Sequence, residues 1–102
     1  MKYIYLIQSL ENGYYKIGVS KHPQQRVKEL QTGNPSGLKL IETYQSEFAN
    51  KIEKTLQRRY SCLKKVGEWF DMGISNEVSF RTECKDIEET IVLLKKSGNV
   101  FI

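Results

Sequence analysis

Residues 2–9 and 14–20 are rich in Tyr, Ile, Leu and Val, and both stretches read as β-strands. Asn12-Gly13 lies between them. Both residue types tolerate positive φ, so the pair predicts a hairpin. A two-residue turn at Asn12-Gly13 sets Tyr5 opposite Ser20. A four-residue turn shifts the register but keeps the same faces, because side chains alternate along a strand with period two. One face then carries Ile4, Leu6, Leu10, Tyr15, Ile17 and Val19, an apolar set suited to a core. The other carries Tyr3, Tyr5, Ile7, Ser9, Tyr14, Lys16, Gly18 and Ser20.

Pro23 opens a helix over about 23–32, where its missing N–H costs nothing. Gly33 is placed to end it, and Asn34-Pro35 prevents continuation. Residues 38–45 read as a third strand. Residues 47–61 form the best amphipathic helix, with Ala49, Ile52, Leu56, Tyr60 and Leu63 as its apolar stripe. A loop over 62–73 surrounds Gly67-Glu68-Trp69-Phe70, in which Trp69 and Phe70 would plug the core and Glu68 would support an Arg or Lys rather than act as a catalyst. Cys84, Ile87, Ile91 and Leu94 recur at helical spacing, giving a helix over about 83–96 with a start as early as Asn76. The order β-β-α-β-α-α predicts a small α/β (α+β) fold. Its three-stranded sheet, antiparallel or mixed, is flanked by helices.

The chain has 102 residues, 39% of them hydrophobic and 27% charged. That suits one domain over 1–102 with a modest core, since a chain this short buries about two-thirds of its unfolded surface. No apolar run approaches the ~18–20 residues that span a bilayer, so no membrane association is expected. The start Met1-Lys2-Tyr3-Ile4-Tyr5-Leu6-Ile7 is basic then apolar, but Gln8, Ser9 and Glu11 end it too early for a signal peptide. Cys62 and Cys84 form no metal or redox spacing, so reduced, inert thiols and a cytoplasmic location are expected. The net charge of +4 permits an anionic partner without requiring one.

Several polar side chains fall where a core margin should be. On the 47–61 helix Glu53 sits about 40° from Ala49 at 100° per residue, and Gln57 follows one turn later. On the 23–32 helix Arg26 flanks a stripe of Pro23, Val27 and Leu30. Lys16 stands mid-strand on the face of Tyr5 and Tyr14. Each has an ordinary structural reading: a salt-bridged edge glutamate, a snorkelling cation, the solvent side of a hairpin. Together they bring cations, one carboxylate and phenols from different elements toward one sheet face. That set suits phosphodiester chemistry: cations for phosphate charge, Glu for a divalent metal, Tyr for proton transfer.

These residues resemble the GIY-YIG nuclease superfamily. Tyr3-Ile4-Tyr5 stands where its GIY tripeptide would, Asn12-Gly13 matches the hairpin turn, and Lys16-Ile17-Gly18 stands where YIG would. Arg26 falls at the arginine position and Glu53 at the glutamate position. The run from Lys16 to Pro35 and the later Gly67-Glu68-Trp69-Phe70 are similar to the short phage, viral and microbial branch with KIG in place of YIG. The resemblance spans about 3–71 and leaves 74–102 as a C-terminal helical extension. It implies an endonuclease. Tyr5 would activate the nucleophile, and Lys16 would orient water or favour the phenolate. Arg26 would stabilise the phosphate, and Glu53 would hold one Mg²⁺ or Mn²⁺. This chain has Leu30 and Gln57 where many members carry histidine. Gln57 can orient water but cannot shuttle a proton. The only histidine, His22, reads as a surface loop residue.

Lys51, Lys54, Arg58, Arg59, Lys64 and Lys65 form a basic stretch suited to tracking nucleic-acid phosphates. Glu83, Asp86, Glu88 and Glu89 carry the opposite sign and are expected away from the substrate or at a protein contact. Three readings follow. The first is a metal-dependent DNA endonuclease, with RNA and a homodimer left open. The second is a weakly active or inactive nucleic-acid-binding module on the same fold. The third is a small protein-interaction factor using the C-terminal helix.

Overall fold

In the computed structural model, which describes residues 1–98, the first two strands meet as an antiparallel hairpin, but not through a two-residue turn. The strands are β1 (Lys2–Ser9) and β2 (Tyr15–Ser20). Ser9 and Tyr14 close the hairpin, with Ser9 N–H donating to Tyr14 O at 2.9 Å, so the loop is Leu10-Glu11-Asn12-Gly13. Gly13 alone takes positive φ, at 76°. Asn12 instead accepts the Tyr14 N–H on its side-chain oxygen at 2.9 Å, which stabilises a longer turn. The register therefore moves by two and sets Tyr5 opposite Gly18 rather than Ser20. The faces are unchanged, except that Leu10 leaves the core. It sits in the loop, 63% exposed, with its side chain against Gly37.

The third strand, β3 (Leu38–Ser46), pairs antiparallel on the other side of β1, giving the sheet order β2-β1-β3. A bulge interrupts this pairing: Leu6 faces Glu42 and Ile7 faces Leu40, leaving Ile41 free to pack against the core. The helices are α1 (Pro23–Thr32), α2 (Ala49–Arg59) and α3 (Ile74–Lys96), with a short 3₁₀ turn at Ser61–Leu63. The order is β-β-α-β-α-α, and the sheet is antiparallel throughout.

Both sheet faces are covered. Ile4, Leu6, Tyr15 and Ile17 meet Ile52 and Leu56 of α2 and Phe80 and Cys84 of α3 in the main core. Tyr5 and Ile7 point the other way and are also buried, because α1 crosses all three strands on that side. Tyr3 and Thr43, on the same side, line a cavity with Pro23 and Lys28 of α1. The second face of the hairpin is thus not the solvated surface that antiparallel sheets often present.

The last helix starts at Ile74, two residues before Asn76. Phe80 extends the Cys84, Ile87, Ile91 stripe backwards by one turn, and the Asn76 side chain accepts the Gly73 N–H at 2.9 Å. Three tyrosines, from β2, β3 and the residue that follows α2, fasten this helix. Tyr15 donates to Glu77 at 2.9 Å, Tyr44 donates to Glu88 at 2.7 Å, and Tyr60 donates to Glu83. The acidic residues Glu83 and Glu88 are therefore docking groups for the helix. The part of the expected extension at 99–102 lies outside the described residues.

Candidate functional site

A strand at the edge of a sheet leaves a row of backbone groups unpaired. β2 is such a strand, and two different parts of the chain cover it. Phe70 exchanges both backbone hydrogen bonds with Tyr15, each 2.8 Å, and buries its ring in the core, while Trp69 stays half-buried. Two residues along, the Gln57 side-chain amide donates to Ile17 O at 3.4 Å. The Gly67-Glu68-Trp69-Phe70 loop and α2 are thereby drawn to one strand edge, with Lys16 between them.

Lys16 projects from this edge and pairs with Glu68 at 2.9 Å. The lysine side chain is only 19% exposed and the glutamate 69%, so the strand fixes the cation and the loop supplies the carboxylate. On the same sheet face the Tyr5 phenol lies directly over Gly18. A Cβ there would overlap the phenol oxygen and ring carbon, so only glycine lets the side chain lie flat across β2. Arg26 of α1 comes to the same phenol. Hydrogen bonding and charge attraction from Tyr5 are the main influences raising the Arg26 pKa, and Glu29, 3.4 Å away, adds to them.

Glu68 joins the two halves. Its carboxyl is held below the usual glutamate value, first by the hydrogen bond and charge of Lys16, then by Lys64 and Arg26. Glu53 behaves oppositely. Burial is the first cause raising its pKa, the Glu68 charge is the second, and Lys54 and Lys2 pull weakly the other way. Glu53 enters no ion pair among the described residues. A half-buried carboxylate beside a second negative charge is a group that a cation would relieve. Below this cluster, Lys54, Gln57, Arg58, Ser61, Lys64 and Phe70 line an open cleft of about 470 Å³ with Glu68.

No curated protein and no solved structure matches the chain. The model of the T5orf172 domain does, over residues 2–93, from β1 to near the end of α3. The chain belongs to the T5orf172 domain family.

Within this T5orf172 domain, Lys16 pairs with Glu68, Arg26 and Glu53 interact with the Glu68 charge, and Tyr5 joins them through Arg26, while none of the four lines the cleft. Gln57 lines the cleft beside Glu68, but its amide is committed to the β2 edge. His22 is exposed at the entrance to α1 and caps nothing with its side chain. The basic stretch divides. Lys54, Arg58 and Lys64 line the cleft. Arg59 turns to α3 and pairs with Glu83 at 3.4 Å, so it does not belong to a free phosphate-tracking surface. Lys51 lines the groove between α2 and α3 with Asp86, a groove that Lys54 and Arg58 reach as well, and Lys65 is exposed on the loop, away from the cleft lining. Glu68, expected as a support for an Arg or Lys, pairs with Lys16, and the motif glycine Gly18 takes a role its position did not reveal, as the floor for Tyr5.

Among the described residues no group of three or more His, Cys, Asp or Glu gathers around one point. A hard cation that keeps most of its own waters, as Mg²⁺ does, requires only one or two carboxylates, and Glu53 is the carboxylate here that enters no ion pair among the described residues. No helix among the described residues is long and apolar enough to cross a membrane.

Proposed function

We propose that this T5orf172 domain is a metal-dependent endonuclease of GIY-YIG type acting on DNA. What supports the reading is Arg26 beside the Tyr5 phenol, with Lys16 and Glu53 both interacting with Glu68, the four coming from four different elements. Phosphoryl transfer needs positioning and charge neutralisation more than covalent chemistry from the protein. Tyr5, once its own proton has passed to solvent, would accept a proton from the attacking water, and Arg26 beside it offers a positive charge to a phosphate drawn to the same place. Lys16 adds a second positive charge from the strand edge. Glu53 would hold Mg²⁺ or Mn²⁺, which supplies charge neutralisation at the leaving oxygen. Lys54, Arg58 and Lys64 would guide the backbone into the cleft without reading bases.

The purified protein with Mg²⁺ or Mn²⁺ should nick or cut plasmid DNA and stop on addition of a chelator. Tyr5→Phe should reduce cutting strongly while leaving DNA affinity in place. A specific observation favours a second reading, a binding module without turnover: the Gln57 amide is spent on Ile17 O, leaving no histidine-like group in the cleft. That reading predicts salt-dependent binding and no products with any divalent ion.

A further inference from the structure

Glu68 is an unusual occupant for a site that is to receive a polyanion. Its carboxylate sits 2.9 Å from the Lys16 ammonium, shares the cleft lining with Lys64, and also feels the charge of Arg26. Three cations from β2, α1 and the 64–70 loop thus face one anionic group. The pair is lopsided in burial. Lys16 is fixed by its strand, while most of the Glu68 side chain is in water. Glu68 is hydrated when it leaves and an incoming phosphate would take over the Lys16 charge, so the exchange costs little. The loop itself does not depend on the pair, because Phe70 is bonded to Tyr15 and the Lys65 N–H donates to Trp69 O at 2.8 Å.

We propose that Glu68 is an internal stand-in for a phosphate: its carboxylate fills an anion seat made by Lys16 with Lys64 and Arg26, and a phosphodiester oxygen displaces it. The proposal deepens the nuclease reading and rests on it only for the identity of the ligand. Displacement also moves a negative charge away from Glu53. Filling of the phosphate seat and relief of the carboxylate that would hold the cation are therefore coupled through one side chain.

The test is binding of a fluorescent duplex oligonucleotide in chelator, where no cutting occurs. Glu68→Gln keeps the side chain's size and removes the competing charge. It should bind about fivefold tighter than the unaltered protein, in line with the small worth of an exposed pair. Glu89→Gln, an equal charge change on α3, should change affinity by less than about twofold. The Lys16→Met/Glu68→Gln double variant should lose the gain. Unchanged or weaker binding by Glu68→Gln overturns the proposal. Equal tightening by Glu89→Gln, or a gain that survives in the double variant, overturns it too. Inorganic phosphate, followed by NMR at the Lys16 side-chain nitrogen, examines the seat without nucleic acid. It should perturb Lys16 at lower concentration in Glu68→Gln than in the unaltered protein. If DNA fails to bind while phosphate shows this difference, the nuclease reading falls and the stand-in role survives. If phosphate perturbs Lys16 equally in both proteins, the stand-in role falls.

Discussion

The Tyr5 phenol lies across Gly18 of the neighbouring strand, in space that any side chain at position 18 would fill. Tyr5 is 2% exposed and pressed between the sheet and α1, so it cannot move aside without disturbing that layer. Gly18→Ala should therefore tilt the phenol away from Arg26. Misplacement of a reacting group by about 1 Å can cost on the order of 100-fold in rate. We expect a loss of that size in cleavage, with DNA affinity changed less than about threefold. Cleavage by Gly18→Ala at the normal rate would show that the phenol's place over β2 does not matter.

The tyrosine–glutamate pairs that fasten α3 predict an alkaline limit to stability. Burial, and then the Glu77 hydrogen bond and charge, push the Tyr15 phenol up to about 12. Burial and Glu88 push Tyr44 up to about 12, and burial with Glu83 pushes Tyr60 in the same direction. A phenol whose pKa is higher folded than unfolded binds its proton more tightly in the native state. Its contribution is complete below pH ~10, the unfolded value, and is lost as pH rises through the folded value. Unfolding midpoints in urea should thus decline between pH ~10 and 12. Tyr15→Phe should cost about 1 kcal/mol at pH 7 and shallow that alkaline decline. A decline as steep as in the unaltered protein would remove Tyr15 from the explanation.

The division of the basic stretch makes a third prediction. Lys54→Ala, Arg58→Ala and Lys64→Ala should each weaken DNA binding and reduce the salt slope by about one. Arg59→Ala should leave the salt slope nearly unchanged, because Arg59 faces Glu83 on α3. Equal slope changes at all four positions would contradict the division.

Much of the fold was legible because it rests on local rules. Alternation assigned the faces of β1 and β2, and Pro23 and Gly33 bounded α1 as observed. The register was not legible, since Asn12-Gly13 is compatible with two loop lengths and the choice depends on the Asn12 side-chain bond to Tyr14. That choice decides whether glycine or serine lies under Tyr5. Burial of the Tyr5 face also escaped alternation, because it depends on where α1 returns over the sheet. At the site, Arg26 and Glu53 were visible as polar residues on core margins. Glu68 was visible as a support for an Arg or Lys, but Lys16 as its partner was not, because that depends on Phe70 pairing with Tyr15, 55 positions away in the sequence. Arg59 looked like its neighbours in sequence, and only the packing of α3 against α2 separates them.

Cleavage and stability of Glu53→Gln, measured on one preparation, test the central claim most directly. Burial and the Glu68 charge raise the Glu53 pKa, so the native state holds that carboxyl's proton more tightly than the unfolded chain does. Its ionisation at neutral pH therefore works against folding, and the neutral amide should be tolerated or favoured. We expect Glu53→Gln to melt a few degrees higher in chelator, since about 1 kcal/mol moves a domain of this size by roughly 4–8 °C. With Mn²⁺ and plasmid DNA it should give no nicked or linear product above the chelator control, while the unaltered protein cuts. Cutting by the well-folded Glu53→Gln variant at the unaltered rate would contradict the account.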